Sequence, residues 1–582
     1  MQACIAKKKE ICYHICKKMG GAINSMKNTK IRLLALLLAV LMTVSLFAGC
    51  QEQPASTRKN SKDKEVTEET QPTEETQPNE EEEFVPTDFA DMVYVRPDLD
   101  AIKAAQEKCM ETVKQDDFDV FLADHDAYSE LYNDFCTNYY LANIHYSKDL
   151  TDEYWTEEYN FCMAATAEVE AGAEDLMYAI APSAHREKLE TEEYYGEGFF
   201  DDYDGENYWD ETFTALNERE ADLIAQYYDL TSQGNEADYD EYYEVVAPKM
   251  CQVYVDLVKV RNEIAAYAGY DSYPEYAYEE TYHRDYTPAQ EALYLQQVQE
   301  HLVPIYYQLY TEGISLRLRS RDEEATYAYV EELANAMGGQ VQEAFEFMTT
   351  YHLYDITQSD NKFNSSFEVF LITYEEPYVF VNPAGSEQDF LTFAHEFGHF
   401  CNDYISDVGI TSVDVAEVFS QGMEYLSLFY ADGPKRLETL QMVNSLCVYV
   451  EQSAFADFEQ RVYAMDPDDL TVDVVFDLFE EVGADYGFDA WGIEGSMFVS
   501  IQHFFTSPCY VFSYVVSNDA AMQLYQMEAA ESGAGLKLFM EQLATEEEDF
   551  LAFVEAAGLD SPFKKGRIQT VAQTLRETLF GE

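Results

Sequence analysis

Apolar residues recur at three- and four-residue spacing through most of the chain from about Phe84 to Glu582. The runs VYVDLVKVRNEIAAYAGY (253–270) and EALYLQQVQEHLVPIYYQLY (291–310) are examples, and each predicts a helix with one buried face. One stretch breaks the pattern. FEVFLITYEEPYVFVNP (Phe367 to Pro383) is rich in Val, Ile, Phe and Tyr, with YEEP in its middle, and predicts two short strands around a turn. No repeat of solenoid length is present. The predicted body is therefore mainly α, with a small β-sheet. A seam near residue 245, where very acidic helices give way to more apolar ones, divides an N-terminal helical region (84–245) from the rest (246–582).

The first 83 residues follow other rules. Met26 to Gln51, MKNTKIRLLALLLAVLMTVSLFAGCQ, has a short basic start, an apolar core and small residues before Cys50. This is the pattern of a secretory signal, too short and wrongly flanked for a comfortable membrane span. LFAGC resembles a bacterial lipobox, in which the cysteine becomes a lipidated N-terminus; Phe47 stands where leucine is commoner. Residues 1–50 are thus expected to be a signal and lipobox region, with Met26 a candidate start. Residues 51–83 hold TEETQPTEETQPNEEEE, an acidic, proline-bearing run with almost nothing apolar to bury. Like charges extend such a segment, so it reads as a tether.

Charge narrows the partners. Lys plus Arg is 36 and Asp plus Glu is 111, a formal net charge of −75, which repels nucleic acid phosphate. Any membrane contact is expected through the N-terminal lipid alone. Seven cysteines lie beyond Cys50, scattered, odd in number and without C-x-x-C pairing, so they read as buried free thiols.

The chemistry concentrates in FLTFAHEFGHFCNDY (Phe390 to Tyr404). On a helix, residues i and i+4 share a side, so His395 and His399 would aim two imidazoles at one point. Zinc accepts imidazole nitrogen readily, and Glu396 is placed to take the proton of an attacking water. The plain alternative is a surface helix with two histidines. Apolar neighbours and the strand pair just upstream favour the metal, since an extended peptide can pair with a strand edge. A third ligand is needed. Gly409 and Ser412 supply a helix stop and a cap, which would let DVAEVFSQGMEYL return as a second helix with Glu417 in its first turns. Spacing alone leaves Glu417 balanced between ligand and solvated carboxylate. Glu424, two turns on, could hydrogen-bond the ligands.

HEFGH followed by AEVFSQGME resembles the zinc oligopeptidases of the oligoendopeptidase F and thimet oligopeptidase type. Glu417, Ser420 and Glu424 match that family's third-ligand helix. PYVFVNPAGSEQDFLTFAHE and KVRNEIAAYAGYDSYPEYAYEETYHRDYT (Lys259 to Thr287) are similar to its upstream segments, and IQHFFTSPCYVFSYVVS (Ile501 to Ser517) to its histidine-then-tyrosine segment. Asn402 departs from it, standing where many relatives carry histidine. The resemblance implies one Zn2+ per chain on His395, His399 and Glu417, with Glu396 as general base. It also implies that His503 and Tyr510 stabilise the oxyanion, with Tyr514 a weaker candidate. It further implies a two-lobed helical body with a deep channel, and short oligopeptides as substrates. With the N-terminal features, the expectation is an endopeptidase at the outer face of a bacterial membrane. The rival expectation is a peptide-binding lipoprotein without turnover. Oligomeric state is not readable.

Overall fold

The computed structural model describes residues 85–191, 194–196, 198–203, 211–234, 241–309, 311, 318–406, 412–545, 547 and 549–581. The signal and lipobox region, Cys50, the acidic tether and the helix stop at Gly409 lie outside them.

Aspartates start the N-terminal helices. Asp98, Asp117 and Asp152 each turn a carboxylate back to first-turn backbone N–H groups. They open α1 (Leu99–Thr112), α2 (Phe118–Lys148) and α3 (Glu153–Ile180). These three pack around their own small core, which includes Ile102, Phe121, Phe135 and Leu176. Two more helices follow, α4 (Glu211–Gly234) and α5 (Ala247–Ala268). Gly269, in the left-handed conformation at φ 98°, ends α5. The run 291–310, predicted as one helix, is two: Pro288–His301 and Val303–Gln308. Pro304 cannot donate the backbone N–H that a continuous helix needs there.

The strands form as predicted, with one addition. β1 (Tyr354–Asp355) joins β2 (Ser366–Leu371) and β3 (Glu376–Val381) in the order β1-β3-β2. β2 and β3 are antiparallel, with Phe367 opposite Phe380 and Val369 opposite Tyr378. Glu375, at φ 51°, makes the turn between them. The buried Lys362 ammonium ties the added strand in, donating to Asp355 Oδ1 and to the Val381 carbonyl, both at 2.8 Å. The N-terminal helices grip the hairpin's tip. Thr137 of α2 and Thr373 hydrogen-bond through their hydroxyls at 2.9 Å, and Phe370 and Ile372 enter the N-terminal core.

Downstream of the sheet come α6 (Gln388–Ile405), α7 (Val413–Tyr430) and α8 (Phe512–Ala530), which sit in the main core. Ser412 occupies the position before α7 in extended conformation, but its hydroxyl makes no capping bond, contrary to expectation. All seven cysteines among the described residues are free and buried, as expected.

Buried carboxyls give the fold a pH signature. Burial raises Glu376 and Glu451 to about 7 and Glu459 to about 8. The folded chain therefore holds protons that the unfolded chain has released. The resulting stability is full below the ordinary carboxyl value and is lost as pH rises through the folded values. Lowering the pH from about 8.5 to about 7 is expected to raise Tm. Below the ordinary histidine value, His145 and His503, which burial holds down to about 4, act in the opposite sense. Calorimetry at fixed ionic strength checks this; a Tm flat or rising with pH from 7 to 8.5 contradicts it.

Candidate metal centre

A carboxylate nest launches the helix that carries HEFGH. Asp389 accepts the backbone N–H groups of Ala384, Gly385 and Ser386 at 2.9, 2.8 and 2.7 Å, which fixes the loop into α6. Glu387, at the helix start, takes the side chains of Arg321 and Arg436. Further along, α6 and α7 cross at Gly398. A Cβ placed there would lie 2.5 Å from the Phe419 carbonyl oxygen and 2.7 Å from Ser420 Cα. Only glycine allows the two backbones this close.

That contact brings the metal candidates together. Nitrogens of His395 and His399 and a carboxylate oxygen of Glu417 lie within 4.8 Å of one another, all on buried residues. His395 Nε2 is 3.5 Å and His399 Nε2 3.9 Å from Glu417 Oε2. Ligand atoms placed tetrahedrally at about 2.0–2.2 Å from a zinc ion sit about 3.3–3.6 Å apart. The His395–Glu417 separation matches this and the His399–Glu417 separation is slightly longer, so small side-chain shifts would seat such an ion. Glu424 Oε1 lies 2.7 Å from His395 Nδ1, leaving Nε2 toward the shared point. The Ser420 hydroxyl donates to Glu417 Oε2 at 2.8 Å and so orients the carboxylate.

The electrostatics suit a cation. Burial works to lower His395, but the carboxylates of Glu424, Glu417 and Glu396 overcome it and hold the group up to about 10. Burial raises Glu396 to about 7, with the charge of His395 and the Ser366 side chain of β2 pulling the other way. Three acids around two imidazoles leave negative charge that a dication would neutralise.

His503, Tyr510 and Tyr514 are also brought together. His503 lies 5.7 Å from Tyr510 and 6.1 Å from Tyr514 between ring centroids, and the two tyrosines are 5.2 Å apart. Burial lowers His503 to about 4, so its imidazole is neutral at pH 7. Its Nε2 has no hydrogen-bond partner among the described residues. Gln421, one turn after Glu417, reaches the Tyr514 carbonyl at 3.5 Å and links this cluster to α7. Asn402, the departure from the family pattern, is buried and donates to the Leu543 carbonyl at 3.2 Å, a packing role.

The peptidase family M3 profile matches residues 239–545, more than half of the chain, and the peptidase M3 N-terminal domain profile matches residues 89–209. The chain belongs to peptidase family M3. It is a metallopeptidase, rather than a peptide-capturing protein without turnover. No curated protein matches. Among solved structures, PZ peptidase A with an inhibitor superposes at a TM-score of 0.72 with 19% identity, covering 85% of this chain and 99% of that one. A candidate oligoendopeptidase F gives 0.72 with 18% identity, covering 85% and 98%. Another, from Bacillus anthracis, gives 0.70 with 20% identity, covering 85% and 98%. At such identities the likeness shows the fold, which is helical and two-lobed as expected.

Within this M3 peptidase, Glu424→Gln is expected to weaken metal binding by about 10- to 100-fold while the fold persists, because His395 loses the carboxylate that orients it. Competition with a metal-sensitive dye measures it; unchanged affinity would leave Glu424 as a bystander.

Proposed function

We propose that this M3 peptidase is a zinc-dependent endopeptidase that cleaves internal bonds of short peptides. The observation that carries the reading is the convergence of His395, His399 and Glu417 on one buried point, with Glu396 beside it. These three residues would hold one Zn2+. Bound there, the ion would acidify an attacking water toward about pKa 7 and polarise the scissile carbonyl. Glu396 takes the proton from the water and delivers it to the departing amine. His503 and Tyr510 donate hydrogen bonds to the oxygen that gains charge as the carbonyl is attacked. The family resemblance implies a channel between the lobes, which would limit substrates to oligopeptides.

The setting proposed is the outer face of a bacterial membrane, with a lipid on Cys50 and residues 51–83 as the spacer. The lipobox-like LFAGC and the acidic, core-less run after it support this. Cys50→Ser is expected to move the protein from the membrane fraction to the soluble fraction; an unchanged distribution argues against the anchor.

The decisive experiment uses protein lacking residues 1–83, a quenched fluorescent peptide of about ten residues, and metal analysis of the same sample. Internal cleavage abolished by a chelator and restored by zinc, with about one zinc per chain, supports the reading. Zinc-free protein that still cleaves, or cleavage confined to terminal residues, overturns it.

A further inference from the structure

The segment Lys259–Thr287 looks like part of the family yet contributes nothing to the centre described above. It contains two buried arginines, Arg261 and Arg284. Each grips two consecutive backbone carbonyls, one pair near either end of the His503–Tyr510 loop. Arg261 Nη1 donates to the Phe504 carbonyl at 2.8 Å and Nη2 to the Phe505 carbonyl at 2.6 Å. Its Nε donates to Glu220 at 2.6 Å. Arg284 Nη1 donates to the Cys509 carbonyl at 3.0 Å, and Nη2 to the Tyr510 carbonyl at 3.5 Å and the Ser513 hydroxyl at 2.7 Å.

Two further side chains complete the grip. Glu459 Oε1 accepts the Cys509 N–H at 3.0 Å. The Tyr282 hydroxyl donates to the Pro508 carbonyl at 2.8 Å, and its ring stands edge-on to that of Tyr510. Cys509, the residue before Tyr510, sits at φ 65°, a left-handed conformation that a side chain disfavours. Such a conformation persists where its surroundings over-determine it. Arg284 also faces the metal helix: its Nε is 3.6 Å from Asp414 Oδ2, one turn before Glu417, and the Tyr286 hydroxyl donates to the same oxygen at 2.6 Å.

Burying two guanidiniums is costly, and apolar residues of similar volume commonly serve stability as well. What the guanidiniums add is a defined backbone position, through forked donors on successive carbonyls. We propose that Arg261 and Arg284 are positioning residues that set His503 and Tyr510 against the metal ligands, Arg284 by joining the tyrosine's backbone to the first turn of the helix that carries Glu417. The proposal rests on the reading of Tyr510 as an oxyanion donor. A donor misplaced by a fraction of an ångström loses most of its worth in the transition state while substrate binding hardly changes.

Arg284→Lys keeps the charge but lacks the fork. It is expected to lower kcat by about 100-fold, with KM within about twofold, and to leave zinc content unchanged. In a Tyr510→Phe background the same substitution is expected to cost less than about threefold further, because its target is gone. If kcat per folded, zinc-loaded chain stays at the wild-type value in Arg284→Lys, the clamp is overturned. Full additivity with Tyr510→Phe overturns it equally, since Arg284 would then act elsewhere. Wild-type turnover in Tyr510→Phe alone removes the oxyanion reading beneath the proposal; impaired Tyr510→Phe beside normal Arg284→Lys removes the clamp only. Should Arg284→Lys fail to fold, Tyr282→Phe deletes one hydroxyl from the same grip. It is expected to lower kcat about tenfold at constant KM, and an unchanged kcat overturns the proposal.

Discussion

Replacing Glu396 by glutamine is expected to leave zinc in place and to lower kcat by about 10²- to 10⁴-fold, the range in which a positioned base contributes. Gln keeps the shape and still fills the buried space beside His395, but it cannot take a proton. None of the ligand atoms changes, so metal content is an internal control. KM is expected to move little, because the lost interaction is made with the reacting water and not with the bound peptide. Stopped assays with a quenched peptide, run beside metal analysis, give both quantities. Cleavage at the wild-type rate by zinc-loaded Glu396→Gln would remove this residue from the chemistry. An equal loss of zinc and turnover would recast it as a residue supporting the metal.

The second large effect falls on a residue with no side chain. Gly398→Ala is expected to destabilise the fold by about 2–3 kcal/mol and to weaken zinc binding by about 10- to 100-fold. The added methyl meets the Phe419 carbonyl and Ser420 Cα, which are backbone atoms of α7 and cannot swing aside. The helices must part, and they part between His399 and Glu417. Gly422→Ala is the control. Its methyl meets the tips of Leu524 and Phe539, with 2.9 Å to Leu524 Cδ1, and these can rotate away from the metal side. The ranking is therefore Gly398→Ala well below Gly422→Ala in both Tm and zinc affinity. Calorimetry and metal titration on the pair decide it; equal behaviour would mean that the helix crossing does not hold the ligands.

The metal helices were legible because their information is local. His395 and His399 share a helix side by periodicity alone, whereas Glu417, 18 residues beyond His399, stood balanced between ligand and solvated carboxylate until the family pattern supplied its role. The strand pair was legible from its Val, Ile and Phe content. β1 was not, because two residues carry no alternation; it exists through pairing with β3 and the Lys362 ammonium. The break at Pro304 was lost within an otherwise regular apolar run. Ser412 shows that a good capping residue in the right place need not cap. The roles given to His503 and Tyr510 came from family resemblance, since a tyrosine among 46 has no local mark. The arginine grip on their loop was invisible for a plainer reason. Arg261 reads as one charge in a helical pattern, and its partners, the Phe504 and Phe505 carbonyls, lie more than 240 positions away.

The buried thiols carry a consequence of their own. None of the seven pairs with another, so the body matures without oxidative assistance and owes none of its strength to crosslinks. Burial also raises the Cys109 thiol to about 12 and pushes the Cys251 thiol well up, so the reactive thiolate is scarce in the native state. A reagent in solution meets these sulfurs only when the surrounding helices come apart. The enzyme thus contains seven silent witnesses to its own opening, distributed from α1 to the threshold of α8.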